Sequence, residues 1–228
     1  MQLFYSPGRS LHKVPIVARE KGLWERIEVV AVYPYRDGYD IGAINPLAKV
    51  PTLVDDDGTP VYSSQAICEY LDSLAPAPRL YPDAGPQRWD ALRRLALADT
   101  VFETAVQIAL ENNRPAAERR LDFHQRQWPK ILRGFDAMER DIACQQDWDI
   151  GRIATLHPCS YVDVSRTHKD PLHTSYDWRP DHPKLAAWFA DACKRPSVAA
   201  QLQVDPPADD SPEACQRAVQ AAVARRRI

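Results

Sequence analysis

The stretch from Asn45 to Asp72, NPLAKVPTLVDDDGTPVYSSQAICEYLD, decides the fold. Within it, Pro51 stands directly before the apolar run Thr52–Val54. Proline has no N–H to give to a sheet, so it belongs at the first residue of a strand, at an edge or at a bulge, and it pushes the preceding residue toward extended geometry. We therefore predict an extended Val50 whose N–H and C=O can pair with an extended peptide if the Val50–Pro51 bond is cis. The alternative is a trans proline that only begins a strand.

Strand and helix patterns alternate on both sides of this stretch. An apolar helix face follows the first strand and stops at Gly22, and Ser63 or Ser64 caps a helix after the last strand. The order is therefore β-α-β-(α)-β-β-α. The predicted strands are Gln2–Tyr5, Ile27–Val32, Thr52–Val54 and Pro60–Tyr62, with a hairpin turn at Asp55–Gly58.

Beyond the break at Pro76–Pro78, the pattern becomes almost wholly helical. After Val204 the composition shifts to Asp, Pro, Ala and Arg, and Gln216–Arg227 is either a terminal helix or a loose tail. Strands followed by helices indicate an α/β domain and then an all-helical domain. The predicted helices are Arg88–Asn112, Ala117–Ile142, Ile150–Val164 and Pro183–Lys194.

Composition excludes several classes of function. The 228 residues carry 29 basic and 31 acidic side chains, so no global field gathers nucleic acid or an anionic membrane. No signal peptide or membrane span is predicted, which favours a cytoplasmic protein. The sequence also has no metal-ligand spacing and no glycine-rich phosphate loop. Five widely spaced cysteines are read as reduced: Cys68, Cys144, Cys159, Cys193 and Cys215.

Together, the stretch Asn45–Asp72 with the following APRLYP, and the downstream RWDALRRLALADTVFETAV, WPKILRGFDAMERDI, SYVDVSR and DWRPDHPKLAAWFADACKRPS, resemble the cytosolic glutathione transferases in their bacterial versions. The resemblance implies a thioredoxin-like glutathione-binding domain at residues 1–78, an all-helical domain at 86–204 and a C-terminal tail at 205–228. It also implies a cis Pro51, glutathione as co-substrate and a homodimer.

The same resemblance implies a glutathione site. Val50 offers its main chain to the cysteinyl part of glutathione, and Ser64 holds the γ-glutamyl carboxylate at a helix N-terminus, where an anion is favoured. Ser64 as a plain N-cap is the alternative. Ser63 replaces the acidic or amide residue usual in the family, so it can only hydrogen-bond to the γ-glutamyl ammonium. Lys49 pairs with the glycyl carboxylate or is an ordinary surface lysine.

The resemblance also implies that the segment after the first strand activates the glutathione thiol, since in such transferases a hydroxyl there donates a hydrogen bond to the sulfur and lowers the thiol pKa. A gapless alignment with relatives beginning YYSPGACSL puts Ser10 on their cysteine, whereas a second alignment does not, so Ser6 is the next candidate and a backbone amide a third. The alternative for Ser10 is a helix N-cap. Arg9 and His12 are neighbours that could add positive electrostatic potential near the thiolate. The alternative for His12 is a neutral surface residue.

Two features of the helical half depart from the family pattern. Asp149 can cap the helix that begins at Ile150, but Arg152 cannot return the bond, and Pro158 lies inside that helix. Trp89, Phe102 and Tyr161 are either ordinary core or contributors to a pocket for an apolar substrate.

The function predicted from the residues and the resemblance is that of a detoxification enzyme, a transferase that adds the glutathione thiolate to a small apolar electrophile. The alternative is a non-catalytic interaction or regulatory protein of the same fold with weak or no glutathione binding. A glutathione-dependent reductase or lyase is a third variant, and the absence of cysteine in residues 5–13 argues against a disulfide route.

Overall fold

The structure is a computed structural model that describes residues 1–8, 10–142, 148–165, 176–202 and 207–226. The described residues within Met1–Gly8, Val14–Pro78 and Gln203–Ile228 form one compact unit, called unit 1, and those within Arg9–Lys13 and Arg79–Leu202 form a second, called unit 2. The predictions made for Arg9, Cys144, Arg227 and the boundary between residues 204 and 205 lie outside the described residues.

Unit 1 is built on a four-stranded mixed sheet with the strand order β2-β1-β3-β4. β1 pairs in parallel with β2, with Tyr5 opposite Ala31, and antiparallel with β3, with Phe4 opposite Thr52. The strands predicted from the sequence are confirmed, the second with shorter ends. They are β1 (Gln2–Tyr5), β2 (Glu28–Ala31), β3 (Thr52–Val54) and β4 (Pro60–Tyr62).

Two helices of the thioredoxin-like pattern lie where the sequence predicts them. Helix α1 (Lys13–Glu20) is followed by Gly22 at φ +66°, a value that suits glycine at a helix end. Helix α2 (Ser64–Ser73) buries Ile67 and Leu71, which stand four residues apart on one face. The bracketed helix expected between β2 and β3 is not formed, since the described residues 32–51 contain only turns and irregular backbone.

The C-terminal residues form helix α8 (Pro212–Arg225), so of the two alternatives for this end of the chain the structure has the helix. Ser211 caps it, because its hydroxyl accepts from the Ala214 N–H at 3.2 Å. Cys215, Val219 and Ala222 are buried in one cluster with apolar residues of the sheet and the following loops. That cluster also contains Phe4, Val30, Val32, Ile41, Ile44 and Val54.

Unit 2 is helical, apart from its connecting segments. Gly151 lies at the closest approach of two helices, where an added Cβ would stand 2.7 Å from the Ala91 carbonyl oxygen. The buried core of unit 2 includes Phe135, Trp178 and Leu185. The helices are α3 (Gly85–Asn112), α4 (Leu121–Ile142), α5 (Ile150–Ser165), α6 (Pro183–Ala192) and α7 (Pro196–Leu202), the last of which the sequence analysis missed.

Asp149 caps α5, as the sequence predicts. Its Oδ1 accepts from the Arg152 N–H at 3.0 Å, and its Oδ2 accepts from Arg94 Nη2 at 2.5 Å. The missing return bond of the capping box is therefore replaced by a buried ion pair with α3, while the Arg152 guanidinium donates to the Asp141 carbonyl at 3.1 Å. Pro158 does not end α5, which continues on both sides of it.

Candidate active site

The cis-proline loop and the start of α2 meet at one end of the unit 1 sheet. The Val50–Pro51 bond is cis, which confirms that prediction. Thr52 of β3 lies opposite Tyr62 of β4 in antiparallel register. The residues just before β3 therefore lie beside those just after β4 at one end of the strands. Lys49, Val50 and Pro51 come from the first segment, and Ser63 and Ser64 come from the second. We call this end of the sheet the cis-proline edge.

Asn45 holds the cis-proline loop in place. Its buried Nδ2 donates to the Lys49 carbonyl and to Thr52 Oγ1, each at 2.9 Å, while its Oδ1 accepts from the Leu47 N–H at 3.0 Å. Thr52 Oγ1 donates in turn to the Lys49 carbonyl at 2.8 Å. Asn45 was not predicted from the sequence, since an asparagine before a proline is typical of any turn and its burial at 2% exposure cannot be read from the sequence.

Within the described part of the chain, the Val50 main chain and the Lys49 ammonium make no hydrogen bond or ion pair. Val50 is half-buried, and its side chain packs against the apolar cluster beneath the sheet. Lys49 is exposed. The side chain of Val50 is thus anchored while its N–H and C=O remain available, an arrangement that can pair with the main chain of an extended peptide.

Ser63, and not Ser64, is the N-cap of α2. The Ser63 Oγ accepts from the Gln65 N–H at 3.4 Å, and its carbonyl accepts from the Ile67 N–H at 2.9 Å. The plain N-cap alternative for Ser64 is therefore wrong. Ser64 is the half-buried first residue of the helix, and its hydroxyl makes no hydrogen bond to any described residue. A free hydroxyl beside the first N–H groups of a helix can bind a carboxylate.

Backbone strain is concentrated at this edge of the sheet. Ala48 at φ +49° and Ser63 at φ +70° are the two non-glycine residues with positive φ in the described ranges. Such conformations cost on the order of 1–3 kcal/mol each and cluster at binding sites, where the surrounding structure fixes them. One stands directly before Lys49 and the other directly before Ser64. Strain is therefore stored beside both groups of candidate binding residues.

Ser10, the leading candidate for thiol activation, belongs to unit 2, whereas Ser6 and the candidate glutathione-binding residues belong to unit 1. It is 8% exposed, and its Oγ lies 3.3 Å from His12 Nε2. Helix α1 begins at Lys13, so Ser10 is not at the cap position and the N-cap alternative is wrong. Tyr5 is buried at the end of β1, and the half-buried Ser6 follows it at the carboxyl end of that strand.

His12 is neutral at pH 7 and lies among other ionisable groups of unit 2. Burial, assisted by the Lys13 ammonium, lowers its pKa to about 4. Burial, with smaller effects of His12 and Lys13, also lowers the pKa of His157 well below its usual value. The expected positive potential from His12 is therefore absent. The neutral state agrees with the alternative interpretation, but the residue is half-buried, and its ring centroid lies 4.7 Å from that of the buried His157.

The three aromatic residues named from the sequence have different environments. Trp89 is 70% exposed, so its assignment to the core is wrong. Phe102 and Tyr161 are half-buried and meet edge to face at 5.0 Å, and Phe102 stacks on His157 with the ring centroids 3.7 Å apart. Aromatic faces of this kind can bind an apolar molecule, but they also pack against each other as core residues do.

Two other features concern the described residues, namely groups of metal-binding side chains and membrane-spanning helices. No group of three or more His, Cys, Asp or Glu side chains there is arranged to hold a metal ion. None of the described helices has the length and apolar character needed to cross a bilayer.

Comparison with known proteins identifies the family. The model of the glutathione S-transferase N-terminal domain matches residues 11–74. The GST-like protein YibF of Escherichia coli (strain K12) is 32% identical over 201 residues, which make up 86% of this chain and 94% of YibF.

A solved glutathione S-transferase from Methylobacillus flagellatus KT, with glutathione bound, has a TM-score of 0.79 and 29% identity, and the match covers 89% of this chain and 99% of that one. A stringent starvation protein A homolog from Pasteurella multocida (strain Pm70) is 42% identical over 71 residues, 31% of this chain and 32% of the homolog. On the relationship with YibF and the matching fold, the chain belongs to the glutathione S-transferase family.

Proposed function

We propose that this protein is a cytoplasmic, homodimeric glutathione transferase that adds the thiolate of glutathione to a small apolar electrophile. The observation that carries the proposal is the edge of the unit 1 sheet, where the unpaired Val50 main chain and the uncommitted Ser64 hydroxyl emerge side by side. A tripeptide with an extended middle residue and a carboxylate at each end complements such an edge. Glutathione bound to a solved relative supports this choice of ligand.

Each residue at the edge has a role in binding. The N–H and C=O of Val50 pair with the cysteinyl residue of glutathione, held in position by the cis Pro51 and the Asn45 amide. Ser64 donates its hydroxyl and N–H to the γ-glutamyl carboxylate, which the positive end of α2 also attracts. Lys49 pairs with the glycyl carboxylate. Ser63 carries no charge, so it can only accept a hydrogen bond from the γ-glutamyl ammonium.

The chemistry requires a thiolate, because the thiolate and not the thiol is the nucleophile. Ser10 is proposed to donate its hydroxyl to the sulfur and so lower the thiol pKa, with Ser6 or a backbone amide as the replacement if Ser10 fails. The thiolate then attacks the electrophilic carbon, a carbon–sulfur bond forms, and the leaving group departs with its electron pair. Holding the two reactants together and excluding water supplies the remaining acceleration.

A non-catalytic role is the second candidate. It is favoured by Ser63, which offers the γ-glutamyl ammonium no carboxylate, and by the similarity of 71 residues to a stringent starvation protein A homolog. Such a protein would use the same fold as a binding surface. It would bind glutathione weakly or not at all.

Calorimetric titration with glutathione tests the proposal. We expect wild type to bind and Ser64→Ala to bind about tenfold more weakly, because a hydrogen bond to a carboxylate is lost. Ser73→Ala is the matched control, since it makes the same change at the exposed far end of α2, where the hydroxyl donates to the Tyr70 carbonyl and to no other described residue. No heat and no thermal shift with wild type at millimolar glutathione would exclude the transferase and leave the non-catalytic protein.

If glutathione binds, conjugation of an aromatic halide separates the candidates for thiol activation. Ser10→Ala is expected to lower the conjugation rate with little change in glutathione affinity. Unchanged turnover would move the role to Ser6 or to a backbone amide.

A further inference from the structure

The segment that carries Ser10 is anchored at three consecutive residues by side chains of unit 2. The Leu11 N–H donates to Ser160 Oγ at 2.7 Å. The His12 ring lies against His157, and the Lys13 ammonium forms an ion pair with Asp99 in which the Lys13 side chain is 3% exposed and that of Asp99 11%. Two of these contacts come from the part of α5 in which the sequence departs from the family pattern.

The anchoring residues of α5 are themselves fixed. Ser160 Oγ donates its proton to the His157 carbonyl at 3.0 Å, so its oxygen is left to accept from Leu11. His157 is 7% exposed and is stacked on Phe102 at an interplanar angle of 23°. His12 therefore packs against a buried, stacked ring, and in this position its Nε2 lies 3.3 Å from the Ser10 Oγ.

The charge state of His12 limits what it can do to Ser10. The charged and titratable groups around it include His157, the Lys13 ammonium and the Asp99 carboxylate paired with that ammonium. With a pKa of about 4, His12 cannot serve as a general base near neutral pH, where a useful base titrates close to the working pH. A neutral imidazole still has one N–H donor and one acceptor nitrogen.

The direction of the bond between Ser10 and His12 decides whether Ser10 can act. If His12 Nε2 accepts, the Ser10 proton points at the ring and is lost to the thiolate. If His12 Nε2–H donates, the Ser10 proton is free to donate onward. A thiolate that accepts from Ser10 favours the second direction. The His12 N–H and the Ser10 O–H then both point their positive ends toward the anion, and the two hydrogen bonds strengthen each other.

We propose that His12 is a positioning residue that donates from Nε2–H to Ser10 Oγ, so that the Ser10 hydroxyl donates to the thiolate of bound glutathione. The proposal rests on the proposed function, since it needs a thiolate at the end of the chain. It adds a residue that touches neither glutathione nor the electrophile but determines how strongly Ser10 stabilises the thiolate.

The test measures the thiol pKa of bound glutathione from thiolate absorbance against pH, with binding checked by calorimetry. We expect His12→Phe to raise that pKa by about one pH unit, because a hydrogen bond that favours the charged form is weakened. His12→Gln, whose amide nitrogen can occupy the place of Nε2, should restore most of the shift, whereas His12→Asn, whose amide is too short, should not.

The double variant Ser10→Ala with His12→Phe adds a readout that a purely structural role would not give. Since His12 is proposed to act through Ser10, the double variant should match Ser10→Ala alone, and the two single effects should not add. Equal thiol pKa values in wild type and His12→Phe, additive effects in the double variant, or equal values for His12→Gln and His12→Asn would each overturn the proposal. If His12→Phe does not fold, the comparison of His12→Gln with His12→Asn still decides. Absence of glutathione binding in wild type would instead overturn the proposed function.

Discussion

The cis-proline edge of unit 1 and the Ser10–Lys13 segment of unit 2 differ in the range of the contacts that fix them. Around Lys49–Pro51, the Asn45 amide reaches partners four and seven residues along the chain. In the Ser10–Lys13 segment, Leu11 and Lys13 bond to partners 149 and 86 residues away. The first region is therefore shaped by its own sequence, whereas the second takes its shape from helices α3 and α5.

This difference has an energetic consequence. A loop closed by neighbouring residues needs little ordering of the rest of the chain, while long-range contacts form only when distant helices are already in place. The Ser10–Lys13 segment also contains a buried ion pair, and removal of one partner of such a pair leaves a buried charge uncompensated. Changes in the second region should therefore cost more than changes in the first.

The largest effect is expected from Asp99→Asn. The substitution leaves the Lys13 ammonium buried without its counter-charge, so the free energy of unfolding should fall by about 3–5 kcal/mol. Urea denaturation of both variants measures the change. Asp191→Asn is the matched control, because Asp191 and Lys194 form an exposed pair at 3.4 Å that should contribute less than about 0.5 kcal/mol. Similar losses from both substitutions would show that the buried, long-range ion pair contributes no more to stability than the exposed, local one.

A smaller effect is expected from Asn45→Ala at the cis-proline edge. The variant removes the hydrogen bonds of the Asn45 amide and leaves the partly buried Lys49 carbonyl with the Thr52 Oγ1 donor, so the free energy of unfolding should fall by about 1–3 kcal/mol. Glutathione affinity should fall with it, because the Val50 main chain is less firmly held. Asn113→Ala, at the exposed C-cap of α3, is the control for the change of residue type. Unaltered glutathione affinity in Asn45→Ala would show that the hydrogen bonds of Asn45 do not contribute to glutathione binding.

The same contrast explains how far the sequence predicts the structure. The register of β3 with β4, the turn at Asp55–Gly58, and the start of α2 follow from turn residues, a proline and a helix cap within a few positions of one another. The cis state of Val50–Pro51 needed the family resemblance as well, since proline alone favours trans.

Elements that depend on distant contacts could not be predicted in the same way. Helix α8 lies in a segment rich in Arg, Ala and Pro that is equally typical of a tail, and it is a helix packed on the apolar cluster of unit 1. There Tyr33 donates to Asp210 at 2.8 Å and Tyr39 to the Asp210 carbonyl at 2.5 Å, across more than 170 positions of sequence. His157 was missed for the same reason, because its partners His12 and Phe102 are distant in sequence. Asn45 has local partners, but it was missed because its burial cannot be read from the sequence.

The smallest effect, and one of opposite sign, is expected from Ser63→Gly. Glycine at φ +70° relieves strain that costs a serine on the order of 1–3 kcal/mol. Against this, the greater conformational entropy of glycine in the unfolded chain favours unfolding by about 0.5–1 kcal/mol. The loss of the serine N-cap costs a further few tenths of a kcal/mol, roughly. With mid-range values of about 2 kcal/mol gained and about 1 kcal/mol lost, the free energy of unfolding should rise by about 1 kcal/mol. Ala48→Gly, which relieves strain at φ +49° without removing a cap, is the matched comparison.

Glutathione affinity shows what that strain is for. If the strained backbone holds Ser63 and Ser64 ready for the γ-glutamyl group, the more stable Ser63→Gly variant should bind glutathione more weakly, because flexibility is restored and one hydroxyl is lost. Ala48→Gly retains both hydroxyls, so any loss of affinity in that variant reports on flexibility alone. A gain of stability with unchanged affinity in both variants would mean that the strain only accompanies the turn geometry, and that the local edge of the sheet needs no pre-organisation to bind its ligand.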